Sequence, residues 1–155
     1  MGEIAFVCLA KNVFCRINVI INKQTAYLCS MNDKKLIIPK TSQTPQVEFD
    51  VENGKMFMKG KIVPENPFDF FDQFNQTFDN CVKTNPEGFE INMHLDYFNT
   101  VSSKLLSKFF QKAISNSKPV LNWYYEKDDV ELKEAGEDYA QIINYPINLI
   151  EVDED

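Results

Sequence analysis

A chain of 155 residues that is 44% apolar and contains 13 Phe can build one domain with a real core. Its formal charge of −7 and its lone arginine, Arg16, argue against nucleic-acid binding and against docking on an anionic membrane. No run of about 18 apolar residues predicts a membrane span, and four cysteines without a C-x-x-C pair, beside the single His94, suit neither a zinc site nor a disulfide framework.

Residues 1–30 stand apart. They hold Cys8, Cys15, Cys29 and Arg16, and Lys11, Arg16 and Lys23 against Glu3 give them a net +2, which leaves −9 for residues 31–155. Met31 opens Met-Asn-Asp-Lys-Lys as a natural start would. Residues 1–30 therefore read as an over-extended start or a weakly specified arm, with a β-prone strand at Ile17–Ile21 as the alternative. Residues 31–155 read as the domain. The short apolar stretch Ile4–Ala10, flanked by Glu3 and Lys11, does not make a signal peptide, and a reducing cytoplasm is the expected compartment.

Val47–Asp50 and Lys55–Ile62 read as strands around the turn signal Glu52-Asn53-Gly54. Pro64-Glu65-Asn66-Pro67 breaks the pattern, with Asn66 and Pro67 suited to a helix cap and first turn. Phe70, Phe71, Phe74, Phe78 and Val82 follow at helical spacing. Asn85-Pro86-Glu87-Gly88 is a loop. Phe89, Ile91, Met93 and Leu95 alternate with polar residues, as in a strand with one buried face. Val101, Leu105, Leu106, Phe109, Phe110 and Ala113 give an amphipathic helix. Val120–Tyr125 is a strand after Pro119. A last helix is capped by Asp128 or Asp129 and is apolar along Leu132, Ala135, Tyr139, Ile142 and Ile143. Ile147–Val152 is a candidate edge strand. The order ββαβαβα(β) predicts an α/β (α+β) domain, with a mixed sheet of about four to five strands and about three helices mainly on one face.

The chemistry concentrates at Asn99-Thr100-Val101-Ser102-Ser103-Lys104, where a strand gives way to a helix. From Tyr97 to Tyr125 there is no Asp or Glu, but there are Lys104, Lys108, Lys112 and Lys118. A helix start presents unpaired N–H groups and about half a positive charge, usually answered by a carboxylate. Here none is available. A phosphate on Thr100 would bring about −1.5 to −2 charges onto those donors, with Ser102 and Ser103 as donors and Lys104 one turn on. The plainer alternative is that Asn99 or Thr100 only caps the helix and the lysines form a solvated face.

Several stretches resemble the SiaC family of bacterial regulatory phosphoproteins. They are Thr44-Pro45-x-Val47-x-Phe49-Asp50, Gly60 with Pro64-Glu65-Asn66, Leu95 to Thr100 with Ser102-Ser103-Lys104, Asn122 to Glu126, Asp128-Asp129, and Glu134 to Tyr139. They span about residues 34–150, in order. The resemblance implies a single STAS-like fold and a non-enzymatic signalling role. It implies reversible phosphorylation at Thr100 by a dedicated serine/threonine kinase, reversed by a PP2C-type phosphatase. It also implies partner switching, in which the unmodified form activates a diguanylate cyclase, raising cyclic di-GMP and favouring biofilm. Val101 stands where the family often has Ser, and residues 1–30 have no counterpart.

The other candidates are weaker. The acids Asp128, Asp129, Glu131 and Glu134 lack an EF-hand pattern and suit capping and a solvated face, so no metal is expected. Trp123, Tyr124 and Tyr125 divide between core and partner contact. His94 has no nucleophile beside it, and Cys81 suits a core position. No Gly-rich phosphate loop or catalytic elbow occurs, so no cofactor and no enzyme is expected. The functional alternatives are a STAS-type anti-sigma-factor antagonist and a small-molecule or nucleotide sensor on the wet face of the sheet.

Overall fold

A computed structural model of the chain describes residues 35–84 and 88–153. The distinction drawn at residues 1–30 lies outside them, as do residues 85–87 of the loop read at Asn85-Pro86-Glu87-Gly88. The elements are β1 (Lys35–Ile38), β2 (Gln46–Asp50), β3 (Lys55–Ile62), α1 (Pro67–Thr84), β4 (Glu90–Phe98), α2 (Thr100–Ser117), β5 (Val120–Glu126), α3 (Val130–Ile143) and β6 (Asn148–Val152).

The strands lie in sequence order, β1 to β6, in one sheet. β1–β2 and β2–β3 are antiparallel hairpins, whereas β3–β4, β4–β5 and β5–β6 are parallel. Parallel neighbours need a crossover, and crossovers are right-handed. Three successive crossovers in one direction therefore put α1, α2 and α3 on the same face. Every helix then starts at the end of the sheet to which the parallel strands run. That end gathers the three first turns.

The strand alternation sorts the two faces. Met56, Met58, Ile62, Ile91, Met93, Leu95, Leu121 and Trp123 are buried under the helices. Phe71, Phe74, Phe78, Phe109 and Phe110 answer them from α1 and α2, with Phe74 and Phe109 ring centroids 4.7 Å apart. The Phe-rich helix is thus core filling. Cys81 is buried among these residues, and burial pushes its thiol up to about 12, which removes it as a nucleophile at neutral pH.

Among the described residues, no helix covers the opposite face, which is open in that sense. Asn92, Asn122 and Asn148 stand in register across β4, β5 and β6. The Asn92 Oδ1 accepts from Asn122 Nδ2 at 2.9 Å and from the Tyr124 hydroxyl at 3.2 Å. Asn122 Oδ1 accepts from Asn148 Nδ2 at 2.9 Å. Lys55 donates to Glu90 at 3.0 Å, which holds the Glu90 carboxyl below its ordinary range. These groups satisfy one another across the sheet. His94 lies half-buried on this open face.

Three features depart from the expectation. The sheet has six strands among the described residues, because β1 pairs with β2 and Ile147–Val152 does form the edge strand, from Asn148. Val101 does not join the core stripe of α2, which runs through Ser102, Leu106, Phe109, Phe110, Ala113 and Ser117. Ile142, expected on the apolar side of α3, is exposed. Val101 lies in the first turn of its helix and Ile142 one residue from the end of its own.

Candidate functional site

β4 is not regular to its end. Gly60 pairs with Leu95, and the next pair is Lys61 with Tyr97, so Asp96 is an extra residue. Such a bulge re-aims the side chains around it. Leu95 points into the core, Asp96 and Tyr97 are both exposed, and Phe98 turns back inward. The Phe98 ring meets Trp123 edge-on, at a centroid distance of 6.1 Å, and lies 6.0 Å from Tyr139. Asn99 follows as the N-cap of α2.

Asn99 has extended backbone angles, φ −86° and ψ 171°, and its Oδ1 accepts from the Ser102 N–H at 2.9 Å. Its carbonyl accepts from the Ser103 N–H at 2.9 Å. The donors of Ser102 and Ser103 are therefore spent on Asn99. Among the described residues, the N–H groups of Thr100 and Val101 have no partner. The first turn of α2 holds no acid, and the Thr100 side chain is exposed beside those two donors.

Ser102 is fully buried, and its hydroxyl finds no partner among the described residues. Ser103 is tied down instead. The Tyr139 hydroxyl of α3 lies 2.9 Å from Ser103 Oγ and 3.2 Å from the Ser103 carbonyl oxygen. Burial pushes the Tyr139 phenol up to about 12, so it stays a neutral donor. One side chain of α3 thus fixes the first turn of α2.

The lysine stripe divides. Lys104 and Lys108 are exposed, but Lys112 donates to Asp79 of α1 at 2.6 Å. Lys112 is a helix-to-helix tie rather than part of a free surface. Trp123 and Tyr125 are buried in the core, which leaves Tyr124 on the open face. Asp129 caps α3 by accepting from the Leu132 N–H at 2.9 Å. Among the described residues no group of His, Cys, Asp or Glu is arranged to hold a metal, and no helix is long and apolar enough to cross a membrane.

The sequence reading missed the apolar surface at this end. Phe68, Tyr97, Val101 and Val130 expose 60, 59, 44 and 60% of their area. Each lies in the first turn of a helix or at the end of β4. Apolar side chains in first turns look like core from spacing alone, and the Tyr97 bulge has no sequence signature.

Fold and site together define a small α/β domain whose helices back one face of a mixed sheet, with one exposed threonine, Thr100, at a helix start. The model of the SiaC family regulatory phosphoproteins matches residues 38–152, and the chain belongs to that family. An uncharacterized Pseudomonas aeruginosa protein is 27% identical over 123 residues, covering 77% of this chain and 98% of that protein. Among solved structures, the chain is similar to SiaC of P. aeruginosa, with a TM-score of 0.64 at 24% identity over 76% of this chain and 98% of that one. It is also similar to a chain in the crystal structure of the diguanylate cyclase SiaD in complex with its activator SiaC from the same organism. There the TM-score is 0.66 at 24% identity, over 76% of this chain and 99% of that one.

Proposed function

We propose that this protein is a non-enzymatic switch in which reversible phosphorylation of Thr100 governs docking of a diguanylate cyclase. The observation that carries this reading is the exposed Thr100 hydroxyl on an acid-free first turn, beside two unspent N–H donors and one helical turn from Lys104. A phosphate there meets the positive end of α2. Family membership supplies the regulatory phosphoprotein role, and the similar SiaC is described as an activator in complex with the cyclase SiaD.

The unmodified junction is the docking state. Phosphorylation by a cognate serine/threonine kinase places a dianion and added volume where Thr100 meets its partner, and a PP2C-type phosphatase reverses it. A dianion is strongly hydrated, and stripping that water in a contact is costly. Incubation with the cognate kinase followed by intact-mass analysis and peptide mapping tests the acceptor. One phosphate is expected on wild type, at Thr100, and none on Thr100→Ala. Thr100→Ala should keep cyclase binding, whereas Thr100→Asp should weaken it about 5–150-fold. A phosphate mapped elsewhere, with Thr100 unmodified, would overturn the assignment. Recovery of an anti-sigma factor and no cyclase in a pull-down would favour an antagonist role instead.

A further inference from the structure

The apolar residues at the switch end are bordered by carboxylates on one side. Two adjoining surface hollows share Glu126 and Asp129. One is lined by His94, Leu95, Asp96 and Leu132 in addition, and the other by Asp128, Val130 and Glu131. Asp129 is spent on its cap. Asp96, Glu126, Asp128 and Glu131 form no ion pair among the described residues. Val130 opens α3, between Asp129 and Glu131, and Tyr97 adjoins Asp96 at the bulge. The surface therefore joins exposed apolar side chains on β4, α2 and α3 to a one-sided acidic border.

We infer that the effector engages this end with an apolar ridge flanked by Lys or Arg, the ridge seated on Tyr97, Val101 and Val130 and the basic side chains facing Asp96, Glu126, Asp128 and Glu131. The inference rests on the cyclase-docking reading and adds the chemistry of the partner's surface. Charge complementarity selects that occupant, because an acidic partner would meet four carboxylates that form no ion pair among the described residues, on a chain that is already −7. It also assigns different tasks to the two halves of the surface. Border charges set the encounter rate and its salt dependence, while the buried apolar contact sets the residence time. Thr100 adjoins Val101 on the apolar side, so a phosphate there obstructs by volume and lost hydration, even though its sign matches the acidic border.

The test is stopped-flow or biosensor kinetics of the full-length unmodified chain with its cognate diguanylate cyclase across a salt series. The charge-neutral variant carries Asp96→Asn, Glu126→Gln, Asp128→Asn and Glu131→Gln. Its association rate at low salt should fall by about 10-fold or more, with a flattened salt dependence. Val130→Ser should instead leave association unchanged and speed dissociation several-fold. Since all five positions are at the surface, matching thermal midpoints identify the effects as interfacial. If the neutral variant associated at the wild-type rate with the same salt dependence while Thr100→Asp still weakened binding, this inference would fall and the switch would stand. If the wild-type chain did not bind the cyclase at all, both would fall.

Discussion

Asn99 does two jobs at the residue scale. Its side chain takes the Ser102 N–H and its carbonyl takes the Ser103 N–H. Among the described residues this leaves the Thr100 and Val101 donors open, beside the exposed Thr100 side chain. The acid-free helix start that Thr100 opens was legible from sequence, because it is chemically conspicuous. The division of donors was not legible, since either Asn99 or Thr100 is a competent cap. Ser103 illustrates the same limit, because its partner Tyr139 lies 36 residues away. Removing the cap with Asn99→Ala should lower unfolding stability by about 1 kcal/mol in urea denaturation. An unchanged midpoint would show that the cap contributes nothing to the junction.

At the scale of elements, local pattern and tertiary register diverge. The periodicity of Phe70 to Val82 and the alternation of Phe89 to Leu95 are long enough to state their own structure. β1 is only Lys-Leu-Ile-Ile before Pro39, and it becomes a strand by pairing with β2. That is non-local information. The bulge at Asp96 is likewise set by the pairing of β4 with β3, and it exposes Tyr97 where alternation places a core residue. Gly136 shows packing overruling propensity inside α3. A Cβ there would lie 2.6 Å from Leu149 Cδ2 and 2.8 Å from Trp123 Cδ1. The Trp123 ring cannot easily retreat, because its Nε1 donates to the Leu132 carbonyl at 2.8 Å. Gly136→Ala should therefore destabilise by about 1–3 kcal/mol despite the better helix former. A gain of about 1 kcal/mol, the propensity value alone, would contradict the close approach of α3 to β5 and β6.

At the scale of the whole molecule, the described residues present three surfaces with different chemistry. The open sheet face spends its amides and its Lys55–Glu90 pair internally, which gives no support to a small-molecule sensor there. The helical face carries ties such as Lys112 to Asp79. The end that gathers the three helix starts carries Thr100, the exposed apolar side chains and the acidic border. Sequence order and right-handed crossovers make that gathering unavoidable once the strands are parallel. The fold was therefore largely readable from the order of elements, and the site only from Thr100 outward. The central claim is that phosphate on Thr100 changes docking at this end. Its most direct measurement is a calorimetric titration of the cognate diguanylate cyclase with the unmodified chain and with the same chain stoichiometrically phosphorylated at Thr100. The account predicts an affinity about 5–150-fold lower for the phosphorylated chain, with cyclase activation lost in parallel. Equal affinities for the two forms would contradict it.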